Sequence, residues 1–217
     1  MCYCWAKELA RQFCSAQPSL ASRPLPTWWF NLMAVAVERE IKLPYADPNT
    51  ARRAILAAGA RPLRARRLQD DFLLDRETDP LREHHCTLRV RKDGGQALLT
   101  FKGAQMSGEM KVREELETTV GDAGLIVDLC ARLGFQVQFR YQKYREEFQR
   151  GRLVITVDET PVGTFVELEG SECDILRMTT DLRRSPSDFV RDSYPTLFKR
   201  HATARGSDVS DLLFDAS

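Results

Sequence analysis

Ala36-Val37-Glu38-Arg39-Glu40-Ile41-Lys42-Leu43-Pro44-Tyr45 is the stretch whose reading decides the fold. Glu38, Glu40 and Lys42 stand at every second position, and a strand turns alternate side chains to opposite faces. Two carboxylates and an ammonium therefore share one row. Val37, Ile41 and Leu43 fall on the other face. Alone, such a segment is an ordinary half-buried strand with its charged face in water. The rest of the chain repeats the row.

Outward from this strand, Asp47-Pro48-Asn49-Thr50 supplies a turn and a helix N-cap, followed by a helix that stops at Gly59. A short strand is expected near residues 71–75. Residues 87–91 and 98–102 flank Asp93-Gly94-Gly95, a hairpin signal; Arg89 and Arg91 share a face, and Lys102 ends the partner strand. After the loop at 103–108, Arg113, Glu115 and Glu117 again share parity. Residues 122–134 space Leu125, Leu129 and Leu133 as a packing helix with a glycine stop. A strand over about 136–148 carries Lys143 and Arg145, its partner at 153–158 follows a turn at Gly151-Arg152, and the strand at 164–169 puts Phe165, Glu167 and Glu169 on one side. A last helix is expected around 187–199.

These rows collect Lys42, Arg89, Arg91, Lys102, Arg113, Lys143 and Arg145 on the basic side, and Glu38, Glu40, Glu115, Glu117, Glu167 and Glu169 on the acidic side. Solvated sheet faces usually mix Thr, Ser and Gln with Lys, whereas these are nearly pure Arg, Lys and Glu. About eight antiparallel strands close into a barrel wide enough for side chains or one small ligand. The expected class is therefore α+β, an eight-stranded antiparallel β-barrel forming a tunnel, with helices packed outside. An interior holding both signs of charge needs mutual pairing, water or a ligand. Clustered carboxylates suit Mg²⁺ or Mn²⁺, and clustered Arg and Lys suit phosphate oxygens, so a polyphosphate carrying a divalent metal satisfies both.

Composition limits the alternatives. The 217 residues are 43% hydrophobic and 29% charged, a globular balance. With 32 basic and 31 acidic residues and a net charge of +1, no broad nucleic-acid or anionic-membrane surface is expected, and the expected partner is a small molecule bound by a monomer or homodimer. The six cysteines include no CxxC pair and no zinc spacing with histidine. No run reaches the roughly 18 to 20 apolar residues that span a bilayer, and no signal-peptide core precedes residue 30, so a cytoplasmic protein is expected.

Residues 1–33, with Pro18, Pro24, Pro26 and the Trp28-Trp29-Phe30 cluster, read as an appendage. Either translation begins at Met33, or the aromatic cluster covers the barrel or a partner. Residues 34–205 form the expected tunnel domain and 206–217 an acidic, frayed tail. His84 and His85 are expected to be exposed loop residues, and Tyr194 a helix packing residue. Asp158 and Glu159 read as a hairpin-turn pair, with a role for Asp158 as a base as the alternative.

Glu38-Arg39-Glu40-Ile41-Lys42 resembles the ExExK signature of the CYTH domain, or triphosphate tunnel metalloenzyme, superfamily. Further matches follow in order at residues 88–91, 99–103, 113–117, 143–145, 157–159 and 163–169, so the resemblance covers roughly 34–200. Its pattern is most similar to the class IV adenylate cyclase branch, which overlaps with thiamine and inorganic triphosphatases. The resemblance implies an enzyme whose tunnel takes a triphosphate with Mg²⁺ or Mn²⁺. Glu38, Glu40, Glu167 and Glu169 would bind the metal, and Lys42, Arg89, Arg91, Lys102, Arg113, Lys143 and Arg145 the phosphates. Catalysis would fall to Glu38, Glu40, Lys42, Lys143 and Arg145, with support from Glu115, Glu117 and Asp158.

Overall fold

The computed structural model describes residues 36–106, 108–204 and 211–214; the expectations for residues 1–33 lie outside them. Eight strands, β1 (Ala36–Tyr45), β2 (Arg61–Asp75), β3 (Thr87–Asp93), β4 (Gln96–Lys102), β5 (Lys111–Val120), β6 (Gln136–Arg150), β7 (Leu153–Thr160) and β8 (Gly163–Glu169), close into a barrel. Its order is β1-β5-β4-β3-β2-β6-β7-β8, with every neighbouring pair antiparallel. Closure removes the free edges that an open sheet would present. Gly94 and Gly95, both at positive φ (56° and 97°), make the tight β3–β4 turn, a conformation that suits glycine.

Four α-helices accompany this sheet, α1 (Pro48–Ala57), α2 (Ala123–Arg132), α3 (Glu172–Asp181) and α4 (Tyr194–Ala204). The first three pack outside, as expected of the helices, whereas α4 sets Tyr194 and Pro195 against the inward side of the barrel. The Asp47 side chain caps α1 by accepting from the Thr50 N–H at 2.9 Å, Asp122 caps α2 in the same way, and Ser171 caps α3. The barrel carries its apolar side chains outward, where Ile41, Leu43, Ile155, Val157, Val166 and Leu168 meet Ala51 and Ile55 of α1 and Ile175 and Met178 of α3. Ile55 is fully buried there, so truncating it to alanine should cost about 2–5 kcal/mol. A second cluster sets Tyr194, Phe198 and Ala202 of α4 against Phe139, Tyr141 and Phe165.

Several expectations need correction. The second strand is 15 residues long rather than a short piece near 71–75; register shifts at Pro62/Arg64, Arg64/Arg67 and Leu73/Leu74 break its alternation. On α2 the buried side is Ala123, with Ile126, Val127 and Cys130 half-buried against β3, whereas Leu125, Leu129 and Leu133 point outward at 60%, 48% and 75% exposure. Val37 is exposed, unlike Ile41 and Leu43. The final helix begins at Tyr194, after a short 3-10 turn at Pro186–Asp188, and α3 was not among the expected elements.

Of the tail expected to fray, only residues 211–214 are described, and they are held to the barrel. Leu212 is buried and bridges β6 in parallel at Tyr141; its N–H donates to the Arg140 carbonyl at 2.9 Å, and the Gln142 N–H donates to its carbonyl at 2.7 Å. His84 is exposed and pairs with Asp79, and His85 is exposed beside it. No helix of the described residues is long and apolar enough to cross a membrane.

Candidate active site

The inward faces of the strands enclose a cavity of about 570 Å³, and all thirteen charged residues collected from the rows line it. The lining totals nine basic and eight acidic side chains once Arg64, Lys111, Asp93 and Glu147 are added. Alternation produces this: the apolar faces of β1, β7 and β8 are taken by α1 and α3 outside, which leaves their charged faces turned in.

The charges sit in paired groups. At the β1–β5–β4 wall, Lys102 donates to both oxygens of Glu38 at 2.8 Å and approaches Glu115 at 3.1 Å, while Arg113 Nε donates to Glu38 Oε2 at 3.1 Å. On the β2–β3 wall, Arg91 Nε donates to Asp71 Oδ1 at 2.7 Å and Arg89 lies 3.5 Å from the same oxygen. Asp71 is completely buried; burial would raise its carboxyl, but Arg91, Arg89 and Lys143 outweigh that and hold it below the ordinary range.

Asp158 anchors the third group. It is fully buried and accepts from Lys143 Nζ (2.7 Å), from Arg145 Nε and Nη2 (2.7 and 2.6 Å), and from the Tyr194 hydroxyl (2.7 Å). This position rules out a turn role, since Asp158 lies within β7 opposite Arg145. Arg145 also pairs with Glu167, which lies 3.3 Å from Lys42. Burial, and then Arg145, push Lys143 down to about 8 despite Asp158. Tyr194, expected only to pack, packs and also enters this network.

The four carboxylates implied as metal ligands divide by surroundings. Glu167 is turned to Lys42 and Arg145, and Glu38 to Lys102 and Arg113. Among the described residues Glu40 is paired with Lys111 alone, at 3.2 Å. Glu169 has no ion-pair partner among the described residues and faces Glu40 in the β1–β8 register. Burial, then Glu38 and Glu115, push the Glu169 carboxyl up to about 7. Clustered carboxylate oxygens suit a hard divalent cation, and Glu40 and Glu169 are the two residues that would hold one at the least cost in ion pairs. As the side chains stand, no three carboxylates, histidines or cysteines of the described residues converge as a ready-made metal site.

Three buried polar atoms have no hydrogen-bond partner among the described residues: Gln69 Oε1, Arg89 Nε and Thr156 Oγ1. All three residues line the cavity. Buried polar groups are normally satisfied, so these orphans mark the tunnel as a place for a polar ligand.

Motif reading missed Asp71, Lys111 and Tyr194. Lys111 shares the parity of Arg113, Glu115 and Glu117 and was visible as the first member of that row; Asp71 and Tyr194 carried no comparable pattern.

A family model for the CYTH domain matches residues 36–190. The chain belongs to the CYTH domain family. Among curated proteins this CYTH chain is similar to one from Methanocaldococcus jannaschii named "Putative adenylate cyclase", with 26% identity over 169 residues that cover 73% of this chain and 96% of the relative. Its fold is similar to that of a Vibrio parahaemolyticus protein described as "a putative adenylate cyclase", at TM-score 0.65 and 17% identity over 75% of this chain and 97% of that one. A Hippeastrum protein described as a "putative adenylyl cyclase" that "reveals a dominant triphophatase activity" matches at TM-score 0.57 and 16% identity, over 80% and 97% of the two chains. The two structural likenesses speak to fold alone.

Proposed function

We propose that this CYTH domain is an enzyme that takes a triphosphate into its tunnel with Mg²⁺ or Mn²⁺, and that its reaction is the conversion of ATP to cyclic AMP and pyrophosphate. The observation that carries the triphosphate reading is the closed interior of nine basic and eight acidic side chains, with unsatisfied polar atoms on Gln69, Arg89 and Thr156. A triphosphate brings about four negative charges, and positioning with charge compensation supplies most of the catalysis of its transfer. A protein that only bound anions would need the arginines and lysines but not the Glu38/Glu40, Glu115/Glu117 and Glu167/Glu169 pairs.

Lys42, Arg89, Arg91, Lys102, Arg113, Lys143 and Arg145 would exchange their internal carboxylate partners for phosphate oxygens, freeing Glu38 and Glu167 to join Glu40 and Glu169 as oxygen donors to the cation. Bound Mg²⁺ or Mn²⁺ would supply Lewis-acid charge at the phosphate oxygens. In the cyclase reaction the ribose 3′-hydroxyl oxygen bonds to the α-phosphorus, its proton passes to solvent or a carboxylate, and pyrophosphate leaves. The similarity to a relative named "Putative adenylate cyclase", over 96% of that relative's length, supports this outcome.

A specific observation favours a second reading, hydrolysis at the terminal phosphate. The lining sets only four aliphatic side chains, Val37, Leu73, Leu98 and Val154, beside nine basic and eight acidic ones, so its chemistry answers the phosphates more fully than a purine base. Incubating the purified protein with Mn²⁺ or Mg²⁺ and ATP, tripolyphosphate or thiamine triphosphate decides. Cyclic AMP with pyrophosphate is expected; orthophosphate selects the hydrolase, and tight binding without turnover overturns both in favour of a binding module.

A further inference from the structure

The segment leading into α4 reaches the charged interior with polar groups. The Val190 N–H donates to the Lys42 carbonyl at 2.8 Å, which fixes the segment to β1. Two residues on, the Asp192 carbonyl accepts from Lys42 Nζ at 3.2 Å and from Lys111 Nζ at 3.4 Å. The Tyr194 ring lies 4.0 Å from Lys42 Nζ and 4.9 Å from Lys143 Nζ, within cation–π range, and its hydroxyl donates to Asp158 Oδ2 at 2.7 Å. Ser193, Tyr194 and Pro195 all line the cavity.

We infer that Asp192 and Tyr194 are positioning residues of the triphosphate site, which hold Lys42, Lys111 and Lys143 as a three-pronged receptor for one phosphoryl group where α4 meets the tunnel. The inference rests on the triphosphate reading above.

Three ammonium groups from β1, β5 and β6 are gripped by one three-residue stretch. A lysine has four rotatable side-chain bonds, and fixing three of them when a ligand arrives would cost appreciable rotamer entropy. Here that ordering precedes the ligand. The Asp192 carbonyl oxygen draws on two ammonium groups at once, as a phosphate oxygen would, and each ammonium keeps further N–H donors. Asp158 Oδ2 is shared by Lys143, Arg145 and the Tyr194 hydroxyl. The hydroxyl takes part of that oxygen's charge, so Asp158 holds Lys143 less tightly and leaves it available to a phosphate.

A tyrosine that only fills the aromatic cluster would predict a different response to substitution. The test uses the full chain, Mn²⁺ and tripolyphosphate as the probe, with calorimetric affinity measured from pH 6 to 10 for Tyr194→Phe and Tyr194→Leu, and melting curves as the check on folding. Tyr194→Leu removes ring and hydroxyl and is expected to weaken binding about tenfold. Tyr194→Phe restores the ring and is expected to recover affinity to within about threefold of the unaltered protein. Its alkaline loss of binding is expected to move to higher pH, because Asp158 then holds the Lys143 ammonium more firmly. The groups that bear on Lys143 are Asp71 of β2, Arg91 of β3, Arg145 of β6, Asp158 of β7, Glu167 of β8 and Tyr194 of α4.

Unchanged affinity in both variants, or an unmoved alkaline limb in Tyr194→Phe, overturns the positioning role. If Tyr194→Leu does not fold, the alkaline limb of Tyr194→Phe still decides. Failure of the unaltered protein to bind tripolyphosphate or turn over any triphosphate overturns the underlying reading as well, and is told apart by that result.

Discussion

Glu40 and Glu169 stand directly opposite each other across the β1–β8 pairing, and only Glu40 has a basic partner among the described residues. Like charges in a cross-strand pair repel, so the arrangement is unfavourable in the metal-free chain and favourable once a cation lies between them.

Replacing Glu169 with Gln should therefore raise the thermal stability of the metal-free protein by a few tenths of a kcal/mol. The same change should sharply reduce the further stabilisation that added Mn²⁺ gives. Melting curves with and without Mn²⁺ measure both; an equal Mn²⁺ response in the two proteins would remove Glu169 from the metal site.

Glu40→Gln and Lys42→Ala should each lower turnover by about a hundredfold or more while leaving the barrel folded. Both side chains face the tunnel, whereas the packing of β1 against α1 and α3 rests on Ile41 and Leu43. Product assays paired with circular dichroism test this, and a grossly unfolded Glu40→Gln protein would contradict an interior ligand role.

Lys143 gives opposite pH trends for stability and binding. Its folded pKa of about 8 lies below the unfolded value of about 10.4. Between these limits the unfolded chain binds the extra proton, so this group makes stability rise with pH from about 8 upward. Triphosphate binding needs the ammonium and should weaken over the same rise. Urea denaturation and tripolyphosphate titration at a series of pH values read the two slopes; parallel slopes would show that Lys143 does not contact the phosphate.

Asp71→Asn should destabilise the ligand-free protein by about 3–5 kcal/mol, since it leaves Arg89 and Arg91 without their buried counter-charge. Tripolyphosphate brings negative charge to the same guanidinium groups, so it should stabilise the variant more than it stabilises the unaltered protein. Denaturant midpoints with and without the probe check this.

How far the sequence reveals the fold depends on how strictly each strand alternates. Glu38/Glu40/Lys42 and Arg89/Arg91 keep period two without a break, so both their shared face and the barrel follow from spacing. Asp71 is hidden because β2 slips register three times, and parity counted from one end no longer names the inward face at the other. On α2 two apolar stripes compete, Leu125/Leu129/Leu133 and Ala123/Ile126/Val127/Cys130. Spacing alone does not say which one the sheet will cover. The ion-pair choices depend on distances across the barrel: Glu167 and Glu169 are two residues apart on one strand, yet one is pinned by Lys42 and Arg145 while the other has no ion-pair partner among the described residues.

The bridge from Leu212 to Tyr141 bears on how the protein should be handled at the bench. It supplies the hydrogen bonds on the side of β6 at residues 140–142 that faces away from β2. A truncation before Asp211 would delete that clasp and leave a short run of backbone open to pairing with another molecule. Assays of the tunnel are thus better made on protein that keeps residues 211–214, so that a sticky seam is not mistaken for a property of the tunnel.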